Sequence, residues 1–316
     1  MSLRRPLLFA ALGLGACREP APLPSAQAEP AAAQSAPAAA APSAAAAPAP
    51  RPSASANPSA YPWLAAADRE PRAVDTLRAR FAPPAGFVRV QAAPESFGAW
   101  LRDLPLAAPE TPVRAYDGTT LHPASDRRVA AVVALDVSPA DLQQCADTVI
   151  RLHAEWRWSR GARDMSYRAA AGVDLPWARW ARGERIVQSG ASIQWAPGSK
   201  PVSDHAAFRK YLDAVFAWAN TVSLEKQARP VAPDQIRAGD FFILPGNPGH
   251  VVLVLDLAKQ GGDTVALLGQ SFMPAQNAQV LRPSDGGPWF RLDPSKAVDT
   301  PFWKPFPWGS LRRLPE

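Results

Sequence analysis

The chain has 316 residues, 47% of them hydrophobic and 20% charged, with 36 prolines and a formal net charge of +6. Its basic residues are scattered rather than clustered with interleaved aromatics, which argues against nucleic acid as a partner. The charge implies no more than compatibility with anionic polymers or lipid headgroups.

At the start, Arg4 and Arg5 precede a short apolar stretch from Leu7 to Gly15. The stretch is far below the ~20 residues that a membrane-spanning helix needs, so residues 1–16 read as a signal peptide. Leu14-Gly15-Ala16-Cys17 resembles the lipobox of bacterial lipoprotein precursors. The resemblance implies cleavage before Cys17 and acylation of its sulfur, with two or three chains holding the protein to a lipid bilayer. Cleavage removes Arg4 and Arg5 and leaves a charge of about +4. Arg18 stands where an Asp commonly retains lipoproteins at the inner membrane, so a periplasm-facing anchor in the outer membrane is the expectation.

Residues 18–60 are almost all Ala, Pro and Ser. Frequent prolines block helix, and alanine offers no side chain large enough for a core, so together with Cys17 this is a disordered stalk. At ~3.1 Å per residue it reaches roughly 130 Å. Residues 61–316 then form a single globular domain.

Within the domain, helices are expected over Arg72–Phe81 and Glu95–Leu104, with a strand at Gly86–Gln91 between them. In the second helix Phe97, Trp100, Leu101 and Leu104 share a face. Val129–Val137 is a continuous apolar run that suits a strand buried on both faces. Ser138-Pro139 supplies N-cap and first-turn residues for a helix running to about Trp158. A further helix spans Ser203–Asn220 by its 3–4 spacing. Gly239–Leu244, His250–Leu257 and Thr264–Gly269 read as three strands, the last two joined by a turn at Lys259–Gly262. Helices first and an antiparallel sheet later make an α+β fold. Most of the tryptophans belong in its core.

Of the two cysteines, Cys17 carries lipid, which leaves Cys145 without a disulfide partner. Three polar strings stand out: Asp141 to Asp147, Asn247-Pro248-Gly249-His250, and Gln270 to Gln276. A thiol, an imidazole and a polar group to orient it are the minimum set for thiolate chemistry. Asp256 lies on the face of His250 but about 20 Å along its strand, too far to orient it. A hairpin centred near Gln260-Gly261 sets Gln270 or Ser271 beside His250 instead, and the Gln270 amide oxygen suits an imidazole N–H better. Asp141 and Asp147 read as surface or capping charges, and His122 and His205 as solvated. His153 is too far along the helix to touch Cys145. No spacing matches a metal site and no phosphate loop appears, so no cofactor is expected. Pro301–Trp308 reads as packing for the C-terminal tail.

The strings SFGAWLRDLPL, DLQQCADTVIRLHAEW, GDFFILPGNPGHVVLVLDLA and GQSFMPAQ resemble a bacterial lipoprotein family, domain of unknown function 4846, over most of residues 80–316. More distantly, a helix-borne Cys followed by GD and GHV on strands resembles the papain-like cell-wall peptidases of the NlpC and CHAP types. That likeness implies a papain-like arrangement of sheet and helices, with peptidoglycan peptide as substrate. Cys145 would be the nucleophile, His250 the base, Gln270 the third polar residue and Gln144 the counterpart of the Gln before the CHAP nucleophile. A helix beginning at Ser138 buries Cys145 about two turns in, beyond the help of the helix dipole. One beginning near Gln143 restores that help.

Two functions follow. One is an envelope-anchored cysteine amidase or peptidase acting on cell-wall peptides. The other is a non-catalytic glycan- or peptide-binding lipoprotein with Cys145 in its core. A Cys145 sulfur about 3–4 Å from the His250 ring, open to solvent, favours the first.

Overall fold

The structure, a computed structural model, describes residue 57, residues 59–65 and residues 70–316. The signal peptide, Cys17 and most of the stalk lie outside the described residues. The described residues form one compact unit.

Caps decide where its helices begin. The expected Arg72–Phe81 helix shrinks to Leu77–Arg80, because Thr76 is held in a short strand and caps the turn with its hydroxyl. α1 (Phe97–Arg102) follows Ser96, whose Oγ accepts from the Ala99 N–H at 3.2 Å. It buries Phe97, Trp100 and Leu101 as its periodicity requires. The first long apolar run pairs as a strand only over β1 (Val129–Val132), and the chain continues buried to Leu135.

The next helix departs most from its expected start. α2 (Cys145–Ser159) begins seven residues after Ser138, with Gln144 as its N-cap. The Gln143 side chain explains the delay: its amide oxygen accepts from Arg151 at 3.1 Å inside the core, and its Nε2 donates to the Asp136 carbonyl at 3.2 Å. Those bonds hold the preceding segment in a non-helical path.

The expected Ser203–Asn220 helix ends early, at Phe216, and a second helix that was not expected follows it. α3 (His205–Phe216) is capped by Asp204, and α4 (Thr221–Gln227) restarts at Asn220, whose Oδ1 accepts from the Ser223 N–H at 2.9 Å. An Asn that can accept in this way competes with helix continuation.

The strands then run in succession as β2 (Phe241–Leu244), β3 (His250–Gln260), β4 (Asp263–Gln270), β5 (Gln279–Leu281) and β6 (Leu311–Arg313). The main sheet is antiparallel in the order Arg229–Pro230, β6, β2, β3, β4, β5, β1. Gly261, at φ 57°, and Gly262 close the hairpin between paired Gln260 and Asp263. A glycine takes that left-handed conformation at little cost. The fold is therefore α+β with an antiparallel sheet packed by helices.

The sheet has two covered faces. Val251, Leu253, Leu255 and Leu267 point towards the helices, packing with Cys145, Val149 and Phe208. Val252, Val254, Ala266 and Leu268 point the other way, against Phe242, Phe306 and Val298. Trp63, Trp100, Trp156, Trp158, Trp177, Trp180 and Trp289 are buried, as aromatics of a core should be.

Candidate functional site

α2 presents Cys145 as its first residue, where the dipole and free N–H groups of a helix stabilise negative charge. Its surroundings act in the opposite sense. Cys145 is 6% exposed, and its Sγ has only a weak contact with the Gly249 carbonyl, at 3.9 Å. Burial, and then the charge of Asp147, push the thiol up to about 12. It is a thiol at neutral pH, not a thiolate.

Of the two readings of Asp147, capping holds and surface charge does not. It is 5% exposed, and its Oδ2 accepts from the Gln144 N–H at 3.0 Å, closing the first turn of α2. Burial pushes its carboxyl up to about 8. Gln144 turns its Nε2 to Asp141 at 3.0 Å, and the same Asp141 oxygen accepts from the Ala275 N–H at 2.6 Å. Cys145, Asp147, Asn220, Thr221 and Asn247 line a cleft of about 280 Å³. A Cβ on Gly249 would stand 2.2 Å from Thr221 Oγ1 and 2.8 Å from the Leu244 carbonyl, so the loop wall of this cleft requires glycine.

His250 opens β3 and, by alternation with Val251, faces away from α2. Its ring packs on Phe272 at 4.9 Å, Trp303 at 5.0 Å and Phe306 at 6.1 Å. Nε2 lies 2.8 Å from the Gln270 amide oxygen, so the expected pairing of His250 with Gln270 is present. Burial pulls the imidazole down to about 4, opposed by the Gln270 bond. The neutral ring thus donates from Nε2 and leaves Nδ1 as an acceptor, and that atom has no partner among the described residues.

The structure therefore brings His250 and Gln270 together but does not bring Cys145 to them. No hydrogen bond joins Cys145 to His250 among the described residues, and the two side chains belong to opposite faces of the sheet. One residue of strand alternation separates them. Ser271 is spent elsewhere, donating to the Gln276 carbonyl at 2.9 Å. Asp256 is taken by Arg89 and Arg102, each at 2.7 Å.

Other histidines correct the solvated reading. His205 Nε2 pairs with the buried Glu155 at 2.8 Å, and His122 Nδ1 with Asp126 at 3.1 Å. His153 lies between the Tyr167 hydroxyl and the Pro315 carbonyl, at 2.9 and 3.0 Å, and burial pulls it down to about 3. Among the described residues no three His, Cys, Asp or Glu side chains come together in a way that could hold a metal ion. Sequence reading missed Gln279 and Trp303. Gln279 pairs across the ladder with Gln270, and a Gln inside an apolar-flanked strand (Ala278, Val280) was the available signal.

An antiparallel α+β sheet with a histidine–glutamine pair on one face and a thiol-lined cleft on the other defines an architecture, not yet an activity. A family model described as a domain of unknown function (4846) matches residues 77–313, and the chain belongs to that family. No curated protein and no solved structure matches the chain.

Proposed function

We propose that this chain is a cell-envelope lipoprotein, anchored through Cys17 in the outer membrane, whose domain holds a cell-wall peptide or glycan without cutting it. One observation carries the non-catalytic part. The thiol and the imidazole lie on opposite sheet faces, and each is in its neutral form at pH 7. A nucleophile and its base must share a hydrogen bond to pass a proton. The cleft beside Cys145, with its carboxamide and hydroxyl lining, supplies a polar recess suited to a peptide.

A second reading, the cysteine amidase with Cys145 as nucleophile and His250 as base, draws support from Cys145 standing first in α2. Alkylation kinetics separate the two. Under the binding reading, iodoacetamide at neutral pH leaves Cys145 unmodified until denaturant is added. Rapid labelling of the folded chain, slowed sharply by His250→Ala, would reverse the choice.

A further inference from the structure

The face of the sheet opposite Cys145 carries a row of polar side chains on three neighbouring strands: His250 on β3, Gln270 on β4 and Gln279 on β5. They are 0%, 4% and 1% exposed. Among the described residues, His250 Nδ1, Gln270 Nε2 and both amide atoms of Gln279 have no hydrogen-bond partner. Trp303, whose ring packs on His250, has a buried and unpartnered Nε1 as well. Buried polar atoms in native proteins are overwhelmingly paired, and each one left unpaired weakens the fold. Five in one neighbourhood are bonding capacity that the described protein groups leave unused.

The cover of the row is a loop. A backbone pair between Val298 and Phe306, at 2.8 and 2.9 Å, clamps the ends of residues 299–305. Within it Phe302 sits at φ 75°, a conformation that strains any residue with a Cβ. Asp299, Thr300 and Pro301 line a cavity of about 980 Å³ while Trp303 reaches His250. One loop thus touches both that cavity and the row.

We infer that the row beneath the 299–305 loop is a binding site for an uncharged sugar carrying an acetamido group. The unpartnered atoms include three N–H donors, on Gln270, Gln279 and Trp303, and two acceptors, His250 Nδ1 and Gln279 Oε1. An acetamido carbonyl takes up donors, and its N–H and the ring hydroxyls meet the acceptors. None of these side chains is charged at neutral pH, so a charged ligand would lose its hydration with no counter-ion in return. Phe272 and Trp303 offer aromatic surface to the C–H face of a sugar ring. The site is separate from the Cys145 cleft, so it stands or falls independently of the alkylation result.

Titration calorimetry on the full chain tests it with N,N′-diacetylchitobiose and with the same disaccharide lacking its acetyl groups, which is cationic. The acetylated sugar should bind at least tenfold more tightly. Gln279→Met should weaken that binding at least tenfold and raise the melting midpoint by ~2–4 °C, because an unpaired amide is replaced by an apolar chain of similar shape. Trp303→Phe, which keeps an aromatic ring and removes the N–H, should weaken binding severalfold. Absence of binding by the native chain, equal binding of the two sugars, or a Gln279→Met protein that binds normally or melts lower would each overturn the assignment.

Discussion

Two buried polar regions of this domain are built on opposite plans. Under the helices, Arg151 is fully buried and every arm of it is met: Nε by Glu155 at 2.8 Å, Nη1 by Gln143 at 3.1 Å and Nη2 by Asp136 at 3.0 Å. Glu155 is met in turn by His205 at 2.8 Å. On the other face, among the described residues, the His250–Gln270–Gln279 row makes one side-chain bond and leaves four atoms unpaired. A closed network fixes structure, here the late start of α2. An open one retains bonding capacity that the fold does not use.

The largest expected effect tests the closed network. Arg151→Met leaves the buried Glu155 and the half-buried Asp136 with part of their counter-charge removed, and should destabilise the domain by about 3–5 kcal/mol in denaturant unfolding. A loss below about 1 kcal/mol would make the two regions energetically alike and remove the contrast. Gln279→Met, in the other region, should shift stability in the opposite direction.

The next effect separates the regions by pH. Asp147, raised to about 8, binds its proton more tightly folded than unfolded. It therefore weakens the fold as pH rises from about 4 to 8, by up to about 1.4 kcal/mol per pH unit. His250 and His153, lowered to about 4 and about 3, act in the reverse sense. Their contribution is complete above the unfolded histidine value of about 6.5 and is lost as pH falls below it. Stability followed by chemical denaturation should thus pass through a maximum near neutral pH. Asp147→Asn should abolish the decline above it and steepen the acid limb, which Asp147 opposes between about pH 4 and 6.5. An unchanged decline would mean that Asp147 is already ionised in the fold.

Much of this was legible in the sequence, and the failures have local causes. The β3–β4 hairpin could be located because Gly261-Gly262 permits one tight turn, and its register brought Gln270 to His250. α1 was legible because Ser96 and the Phe97–Trp100–Leu101 spacing agree. The start of α2 was legible only as the alternative near Gln143, since Ser138-Pro139 looks like a better cap than Gln144. Only the three-dimensional position of Arg151 shows why Gln143 stays out of the helix. The pairing of Cys145 with His250 could not be judged from sequence either. Spacing gives proximity along the fold, whereas the face of β3 that meets α2 depends on tertiary packing.

The smallest effect concerns the loop over the open row. Phe302 holds φ 75° with its ring against His122 at 4.7 Å and under Arg128 at 4.3 Å. Phe302→Ala and Phe302→Gly both remove those ring contacts, so the difference between the two variants isolates the backbone. At an ordinary position glycine is the less stable of the pair by roughly 0.5–1 kcal/mol, since it has more freedom to lose on folding. At a left-handed position the Cβ of alanine costs roughly 1–2 kcal/mol, which offsets that entropy. Phe302→Gly should therefore equal or exceed Phe302→Ala in stability, by a few tenths of a kcal/mol. It should also bind the acetylated sugar no more weakly than Phe302→Ala, because a loop freed of strain still closes. If Phe302→Ala proves the more stable by the ordinary margin, the loop is relaxed where it stands. The unpaired row would then lie under a permanent cover rather than a movable one.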